Sequence, residues 1–144
     1  MISSTMYNMN IILDASAIMA VILNETNRDK VIRLTKDALI LSPEVISFEI
    51  GNALINLYKK QKITEKELLE AYKKYTSLPV RMIKVDIEKA LKIACKYQIY
   101  AYDAYYLEIA HRLKLPLISF DALMKKVALD LKIDVLDKPV KREE

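Results

Sequence analysis

The sequence predicts a single α/β domain with a mostly parallel central sheet of about five strands and helices on both faces. Short apolar segments alternate along the chain with longer segments whose apolar residues recur at helical spacing. Parallel strands joined by crossover helices give this alternation. The length of 144 residues fits one domain. Its 53% hydrophobic and 29% charged residues are typical of a folded protein and too apolar for a disordered one.

Five short apolar segments are the predicted strands. They cover residues 10–13, 38–41, 81–85, 116–119 and 133–136. A short run of apolar residues is typical of a strand that is buried on both faces. Ser42 and Pro43 end the second segment, and Pro79 ends the helical region before the third.

The segments between these strands carry helix signals. Asp14, Asp86 and Asp121 each stand where a helical segment opens, and a side-chain oxygen there can cap free backbone N–H groups. Thr64 and Glu67 form the pattern of a capping box. Helical segments are predicted to begin near residues 14, 28, 44, 64, 86, 102 and 121.

The folded domain is predicted to span residues 10–137, with an N-terminal extension at 1–9 and a charged C-terminal tail at 138–144. The apolar stretch at 11–23 does not fit a secretion signal, because Asp14 interrupts it and no Lys or Arg precedes it. The stretch is also too short to span a bilayer. We therefore expect a cytoplasmic protein.

Composition excludes several kinds of site. The single glycine, Gly51, excludes the glycine-rich phosphate loops of nucleotide-binding proteins. One cysteine and one histidine exclude a structural zinc site of the usual make-up. Cys95 cannot close an internal disulfide, and we expect it to be a small core residue. The net charge of +4 allows an anionic partner without requiring one.

Four acidic residues are the candidate catalytic and metal-binding groups. Asp14 and Asp121 follow the first and fourth strands, and ligands bind beyond the carboxyl ends of strands in open α/β sheets. Glu49 and Asp103 lie in strongly apolar helical segments, where an unpaired carboxylate needs a cation or a proton. No basic residue lies in these stretches, so a hard divalent metal such as Mg²⁺ or Mn²⁺ is indicated.

Each acid also has a plain structural explanation. Asp14, Asp103 and Asp121 stand at or near helix starts, where capping accounts for an aspartate without any metal. Glu49 could be a solvated helix residue. Spacing alone does not decide between the two interpretations.

Four motifs, taken in order, resemble the PIN-domain ribonucleases and, within them, the VapC-type toxins of toxin–antitoxin pairs. They are Ile-Leu-Asp-Ala-Ser-Ala at 12–17, Glu-Ile-Gly-Asn-Ala-Leu at 49–54, Tyr-Asp-Ala-Tyr-Tyr-Leu-Glu-Ile-Ala at 102–110 and Leu-Ile-Ser-Phe-Asp-Ala-Leu-Met at 117–124. The resemblance extends over nearly the whole predicted domain. Ser119 stands where the family more usually has Thr, and it keeps the hydroxyl group.

The resemblance implies a Mg²⁺- or Mn²⁺-dependent endoribonuclease in which the four acids hold the metal and a metal-activated water attacks phosphorus. It gives supporting places to Ser16, Asn52 and Ser119. Ser16 would orient a carboxylate or a water, and Asn52 would hydrogen-bond Glu49 or a substrate phosphate. The resemblance also implies a homodimer and a small antitoxin protein as partner. The region at 44–75 has ample apolar and tyrosine surface for such contacts.

Basic and aromatic residues could bring RNA to this acidic site. The basic clusters are Lys59, Lys60 and Lys62, then Lys73 and Lys74, then Lys125 and Lys126. Each cluster could equally be a solvated helix face. Tyrosines near Asp103 could stack on bases or belong to the core or a dimer face. For His111 we expect a surface or packing role.

Two other classes of function stay open at this point. The first is an inactive PIN-like module that binds RNA or protein, against which the four intact acids argue. The second is a receiver-type signalling domain, which needs paired acids after the first strand and an acceptor aspartate after the third. Asp14 has no acidic neighbour, although Asp86 could mimic the acceptor.

Overall fold

The computed structural model describes residues 9–137, and in that part of the chain seven helices alternate with four strands. The strands are β1 (Met9–Leu13), β2 (Ala38–Pro43), β3 (Val80–Ile83) and β4 (Leu117–Ile118). The helices are α1 (Ala15–Ile22), α2 (Arg28–Thr35), α3 (Ile46–Lys59), α4 (Glu65–Ser77), α5 (Ile87–Tyr97), α6 (Ala101–Leu113) and α7 (Ala122–Asp130). The α/β prediction is confirmed. The predicted tail at 138–144 and residues 1–8 lie outside the described residues.

The sheet is parallel, and its strand order is β3-β2-β1-β4. β1 is therefore an inner strand. It pairs with β4 at two positions, Ile12 with Leu117 and Leu13 with Ile118. Since the two strands run in the same direction, their carboxyl ends lie side by side.

Helices cover both faces of the sheet around β1. Ile11, Ile12 and Leu13 are consecutive and all buried. Successive residues of a strand point to opposite faces, so each face of β1 is covered. Both α1 and α6 contact β1. Each of these buried side chains contributes about 1.5–3 kcal/mol relative to an exposed one, which fixes β1 as the centre of the core.

The prediction of a fifth strand is wrong. Residues 133–136 make a single parallel bridge, between Val135 and Leu117. Two hydrogen bonds accompany it, from the Leu117 N–H to the Asp134 carbonyl at 2.8 Å and from the Leu136 N–H to the Leu117 carbonyl at 3.0 Å. β4 has only two residues, so its outer edge offers a neighbouring segment too little length for a ladder.

The predicted helix starts are confirmed at several caps. Thr64 and Glu67 form both hydrogen bonds of the capping box at the start of α4. Asp86 accepts a hydrogen bond from the Lys89 N–H at 3.2 Å and caps α5. Asp103 is not a cap, because α6 begins at Ala101 and its N-cap residue makes no side-chain cap hydrogen bond. Capping therefore does not explain Asp103, which lies in the first turn of α6.

Hydrogen bonds around the buried carboxylate of Glu108 and its ion-pair partner Arg112 join α6 to the connection between β3 and α5. Glu108 is 2% exposed, and its carboxylate accepts hydrogen bonds from Arg112 Nε at 2.9 Å and from the Asp86 N–H at 2.7 Å. Arg112 Nη2 also donates to the Lys84 carbonyl at 2.7 Å. These hydrogen bonds connect α6 to the residues just before α5.

The helices of the described part of the chain are short. The longest helix among residues 9–137 is α3, with 14 residues. No helix in that range has both the length and the apolar character needed to cross a membrane.

Cys95 of α5 is exposed, so the expectation that it is a core residue is wrong. Only Ala90 of α5 is buried, because this helix turns a narrow stripe to the core.

Candidate active site

Asp14 lies at the carboxyl end of β1 and caps α1. The residue is 3% exposed, and Oδ1 accepts a hydrogen bond from the Ala17 N–H at 3.0 Å. The capping explanation is therefore correct for Asp14, although the cap uses only one of its two carboxylate oxygens. Burial raises the pKa of Asp14 above its ordinary value, against the hydrogen bonds that its carboxylate accepts.

Two serines hold the carboxylate of Asp14 in place. Ser16 Oγ donates to Oδ1 at 2.7 Å, and Ser119 Oγ donates to Oδ2 at 2.5 Å. Each serine oxygen also accepts a hydrogen bond from the segment after β4. The Phe120 N–H lies 2.9 Å from Ser16 Oγ, and the Asp121 N–H lies 3.0 Å from Ser119 Oγ. Hydroxyl groups thus tie the ends of β1 and β4 together.

Asp121 and Asp103 bring two further carboxylates to this end of the sheet. Asp121 follows β4, is exposed and caps α7 by accepting from the Met124 N–H at 2.9 Å. Asp103 lies in the first turn of α6 and is partly buried. Burial raises the pKa of Asp103, and the charges of Asp121 and Asp14 raise it further. The three aspartates therefore act on one another electrostatically.

Glu49 completes the group from α3. The residue is partly buried, and its Oε1 atom is buried without a well-formed hydrogen bond to any described residue. The solvated-helix explanation therefore does not account for this oxygen. Burial, followed by the charges of Asp103 and Asp14, raises the pKa of Glu49 to about 7. The hydroxyl group of Tyr106 on α6 faces Glu49 and is likewise buried without a well-formed hydrogen bond. Burial and the charge of Glu49 raise the pKa of Tyr106.

No cation of the described chain neutralises these four carboxylates. The ion pairs within residues 9–137 join Arg28 with Asp29, Lys30 and Lys125 with Asp137, and Arg112 with Glu108. No three Asp, Glu, His or Cys side chains in that range converge closely enough to hold a metal ion as they are placed. The chemistry of the group nevertheless fits a divalent cation, because it offers only oxygen donors and includes an unpaired buried carboxylate oxygen, that of Glu49.

A cleft opens beside Glu49 between α1, α3 and α6. It has a volume of about 270 Å³, and Glu49, Asn52 and Tyr102 are among its lining residues. Asn52 is exposed and lies one helical turn after Glu49 on the same side of α3. The cleft therefore adjoins the group of carboxylates through Glu49, the only one of the four that lines it.

Comparison with known families agrees with this architecture. The family model of the PIN domain matches residues 11–129, which is most of the chain. The chain belongs to the PIN-domain family. The resemblance drawn from the four motifs is confirmed at this level, and the receiver-domain alternative is excluded. No curated protein matches the sequence.

Several solved structures share the PIN fold of this chain. PAE2754 from Pyrobaculum aerophilum has 21% identity and a TM-score of 0.63, covering 86% of this chain and 90% of that one. VapC20 from Mycobacterium tuberculosis, a sarcin-ricin loop cleaving toxin, has 13% identity and a TM-score of 0.59, covering 81% and 93%. VapBC2 from Rickettsia felis, bound to promoter DNA, has 13% identity and a TM-score of 0.56, covering 83% and 93%. At these identities the likeness concerns the fold.

Tyr106 is the residue of this PIN domain that the sequence analysis missed as part of the site. The sequence left open whether the tyrosines near Asp103 belong to the core, and Tyr106 is indeed buried. A signal was present in the spacing, because Tyr106 lies three residues after Asp103 and therefore on the same side of the helix. Its closeness to Glu49 depends on the packing of α3 against α6, which no local pattern shows.

The lysines of the predicted basic clusters in this PIN domain differ in their ion pairing and exposure. Lys125 Nζ lies 3.1 Å from Asp137 Oδ2, a carboxylate that is 6% exposed. The ammonium group of Lys125 is therefore already paired with a carboxylate of the same chain. Lys59, Lys73 and Lys126 are exposed, which fits both a solvated face and a rim for RNA. His111 is also exposed, in agreement with a surface role.

Glu49→Gln should make the metal-free PIN domain less sensitive to pH. A carboxyl group whose pKa is raised on folding from 4.5 to about 7 binds its proton more tightly in the folded state. The free energy of unfolding therefore falls as the pH rises through this window. At about pH 8 the variant should be more stable than wild type by about 1–2 kcal/mol, since a partly exposed carboxylate keeps some of its hydration.

Urea unfolding in chelator at about pH 5 and pH 8 measures this difference. The advantage of Glu49→Gln should shrink toward the lower pH. Glu44→Gln is the matched control, because Glu44 is exposed just before α3. A constant advantage at both pH values, or the same behaviour in the control, would contradict the burial of an ionisable Glu49.

Proposed function

We propose that this PIN domain is a metal-dependent endoribonuclease that hydrolyses RNA phosphodiesters and acts as the toxin of a toxin–antitoxin pair. The observation that carries the proposal is the group of four carboxylates at the carboxyl end of the sheet, which no described cation neutralises. Membership of the PIN family supports it. A fold neighbour named as a toxin that cleaves the sarcin-ricin loop supports the choice of RNA.

Asp14, Glu49, Asp103 and Asp121 would hold Mg²⁺ or Mn²⁺. Such an ion would lower the pKa of a bound water and stabilise the charge that develops on the phosphoryl oxygens. The Oε1 atom of Glu49 and the carboxylate of Asp103 accept no well-formed hydrogen bond from the described residues, so they are the donors with least competition from the protein. Hydrogen bonding leaves Asp14 less free, since the serines occupy both of its oxygens.

The other residues of the site would act by positioning. Ser16 and Ser119 fix the orientation of the Asp14 carboxylate and favour its charged form by donating to it. Asn52 is exposed beside Glu49 and can donate an amide hydrogen to a phosphate oxygen. No side-chain nucleophile is needed when a water attacks phosphorus.

Cleavage of single-stranded or loop RNA by purified, partner-free protein tests the proposed function. We expect cleavage with Mg²⁺ or Mn²⁺ and loss of cleavage in excess chelator, restored when either metal is returned. A nuclease contaminant would keep its activity in an Asp14→Asn, Asp103→Asn double variant prepared in parallel. Absence of metal-dependent cleavage across several RNA classes would favour an inactive module that binds RNA or protein.

The partner proposal is that the chain forms a homodimer in the cytoplasm and is silenced by a small antitoxin protein. Several large apolar residues of α3 and α4 are exposed, and they provide a surface for such contacts. They are Ile55, Tyr58, Leu69 and Tyr72. An apolar interface should persist in high salt. Sedimentation at micromolar concentration should give a dimer in both moderate and high salt, and a monomer in both would contradict it.

A further inference from the structure

The cleft beside Glu49 carries two exposed aromatic rings. Phe48 of α3 is 78% exposed and Tyr102 of α6 is 54% exposed, and both line the cleft. Tyr105 contacts the Tyr102 ring edge-on, with centroids 5.8 Å apart and an angle of 86° between the rings. Leaving such large apolar side chains in water forgoes the free energy of burial, so this pair is suited to covering by a flat ligand.

Two amide side chains line the same cleft. Asn52 and Asn56 lie one turn apart on α3, so they project from the same side of the helix. Neither side chain is among the hydrogen-bonded side chains within residues 9–137, so their donors and acceptors are available. An amide group offers both kinds of partner to the edge of a heterocyclic base.

The charge of the cleft selects the part of a nucleotide that can enter. Glu49 is its ionisable lining residue, and no Lys, Arg or His lines it. A phosphate group would be repelled there, whereas a neutral base would not. The volume of about 270 Å³ equals the space of about nine water molecules, which is comparable to one base with part of its sugar.

We propose that this cleft binds one unpaired base of an RNA strand, stacked against Phe48 and Tyr102 and contacted by Asn52 and Asn56. The adjoining phosphate then stays outside the cleft, toward the four carboxylates, whose charge the proposed metal ion would offset. The inference rests on the proposed ribonuclease function and names its substrate more closely, as RNA whose base is free to leave its neighbours. Duplex RNA is excluded, because its bases remain stacked and paired.

Binding of labelled single-stranded RNA, measured by fluorescence anisotropy in chelator, tests this inference without any cleavage. Removing one ring should weaken affinity about 5-fold or more, since base stacking on an aromatic side chain has that effect. The variants are Phe48→Ala and Tyr102→Ala, with Tyr102→Phe expected to restore binding because it keeps the ring. Thermal melts should show all three folded, since the replaced side chains are exposed.

Tyr100→Ala is the matched control. Tyr100 is 82% exposed and only two residues from Tyr102, but it lines a different cleft with Cys95 and Leu123. Its affinity for RNA should stay within about 2-fold of wild type, a change no larger than that of an ordinary surface substitution. Equal affinity loss in Tyr100→Ala and Tyr102→Ala would overturn the inference.

Further outcomes are equally decisive. Unchanged affinity in both ring variants would overturn base binding, and loss of self-association of these variants in sedimentation would then assign the rings to an interface between copies. Equal affinity for an intact strand and a fully abasic strand would also overturn it. If the wild type binds intact RNA in a ring-dependent way but cleaves none with Mg²⁺ or Mn²⁺, the proposed function fails while base binding stands.

Discussion

Asp103→Asn should lower the rate of metal-dependent RNA cleavage about 100-fold or more. Asp103 lacks a capping role and lies in the electrostatic group of carboxylates, so its replacement removes a proposed metal donor without removing a helix cap. A catalytic metal supplies several kcal/mol to the transition state, and each 1.4 kcal/mol lost is about tenfold in rate. Initial rates at saturating Mg²⁺ give the measurement.

Asp86→Asn is the matched control for this variant. Asp86 is also an aspartate near a helix start, but it caps α5 through the Lys89 N–H, and asparagine caps about as well as aspartate. Its cleavage rate should stay within a few fold of wild type. A similarly small change in Asp103→Asn would remove Asp103 from the metal site.

Thermal melts of Asp103→Asn add a readout that does not depend on cleavage. The variant should be at least as stable as wild type in chelator, because one of several mutually repelling charges is gone. Binding of Mg²⁺ to the folded state stabilises wild type by about 1.4 kcal/mol at ten times Kd, and the variant should gain much less. Equal gains would argue that the metal lies elsewhere.

Arg112→Ala should have the largest effect on stability, a loss of about 2–4 kcal/mol. The substitution leaves the carboxylate of Glu108, which is 2% exposed, without its cation, and an uncompensated buried charge is strongly destabilising. The exposed part of Arg112 moderates the effect, since 36% of its side chain is accessible. For a domain of this size the melting temperature should fall by about 5–12 °C.

Arg28→Ala tests whether the loss comes from burial of the pair. Arg28 and Asp29 form an ion pair at 3.5 Å in which the side chains are 42% and 92% exposed. Such surface pairs contribute about 0–1 kcal/mol. Differential scanning calorimetry on both variants compares the two pairs directly. Similar melting temperatures for Arg112→Ala and Arg28→Ala would show that Glu108 is solvated in solution.

The sequence predicted the layered fold because the responsible signals are local. Runs of apolar residues, the capping box at Thr64 and the caps at Asp14, Asp86 and Asp121 each depend on a few neighbouring residues. The strand prediction at 133–136 was wrong because a strand also needs a partner of sufficient length. The neighbouring strand β4 has two residues, so this segment makes a single bridge to it.

The site was predicted less completely, because its geometry depends on distant contacts. The positions of the four acids followed from strand ends and apolar helices. The hydrogen bonds from Ser16 and Ser119 to Asp14, and the approach of Tyr106 to Glu49, require β1 to meet β4 and α3 to meet α6. Periodic patterns in the sequence do not show which distant segments come into contact.

The hydroxyl links between β1 and β4 also set a time order for a chain emerging from the ribosome. Ser119 follows its partner Asp14 by 105 residues. At about 5–20 residues per second, roughly 5–20 s of synthesis separate the two. A nascent or truncated chain that ends before β4 has neither Asp121 nor the donor to Asp14 Oδ2. A chain with this connectivity therefore lacks one of the four carboxylates and one of the hydroxyl donors to Asp14 until nearly all of the described domain has been translated.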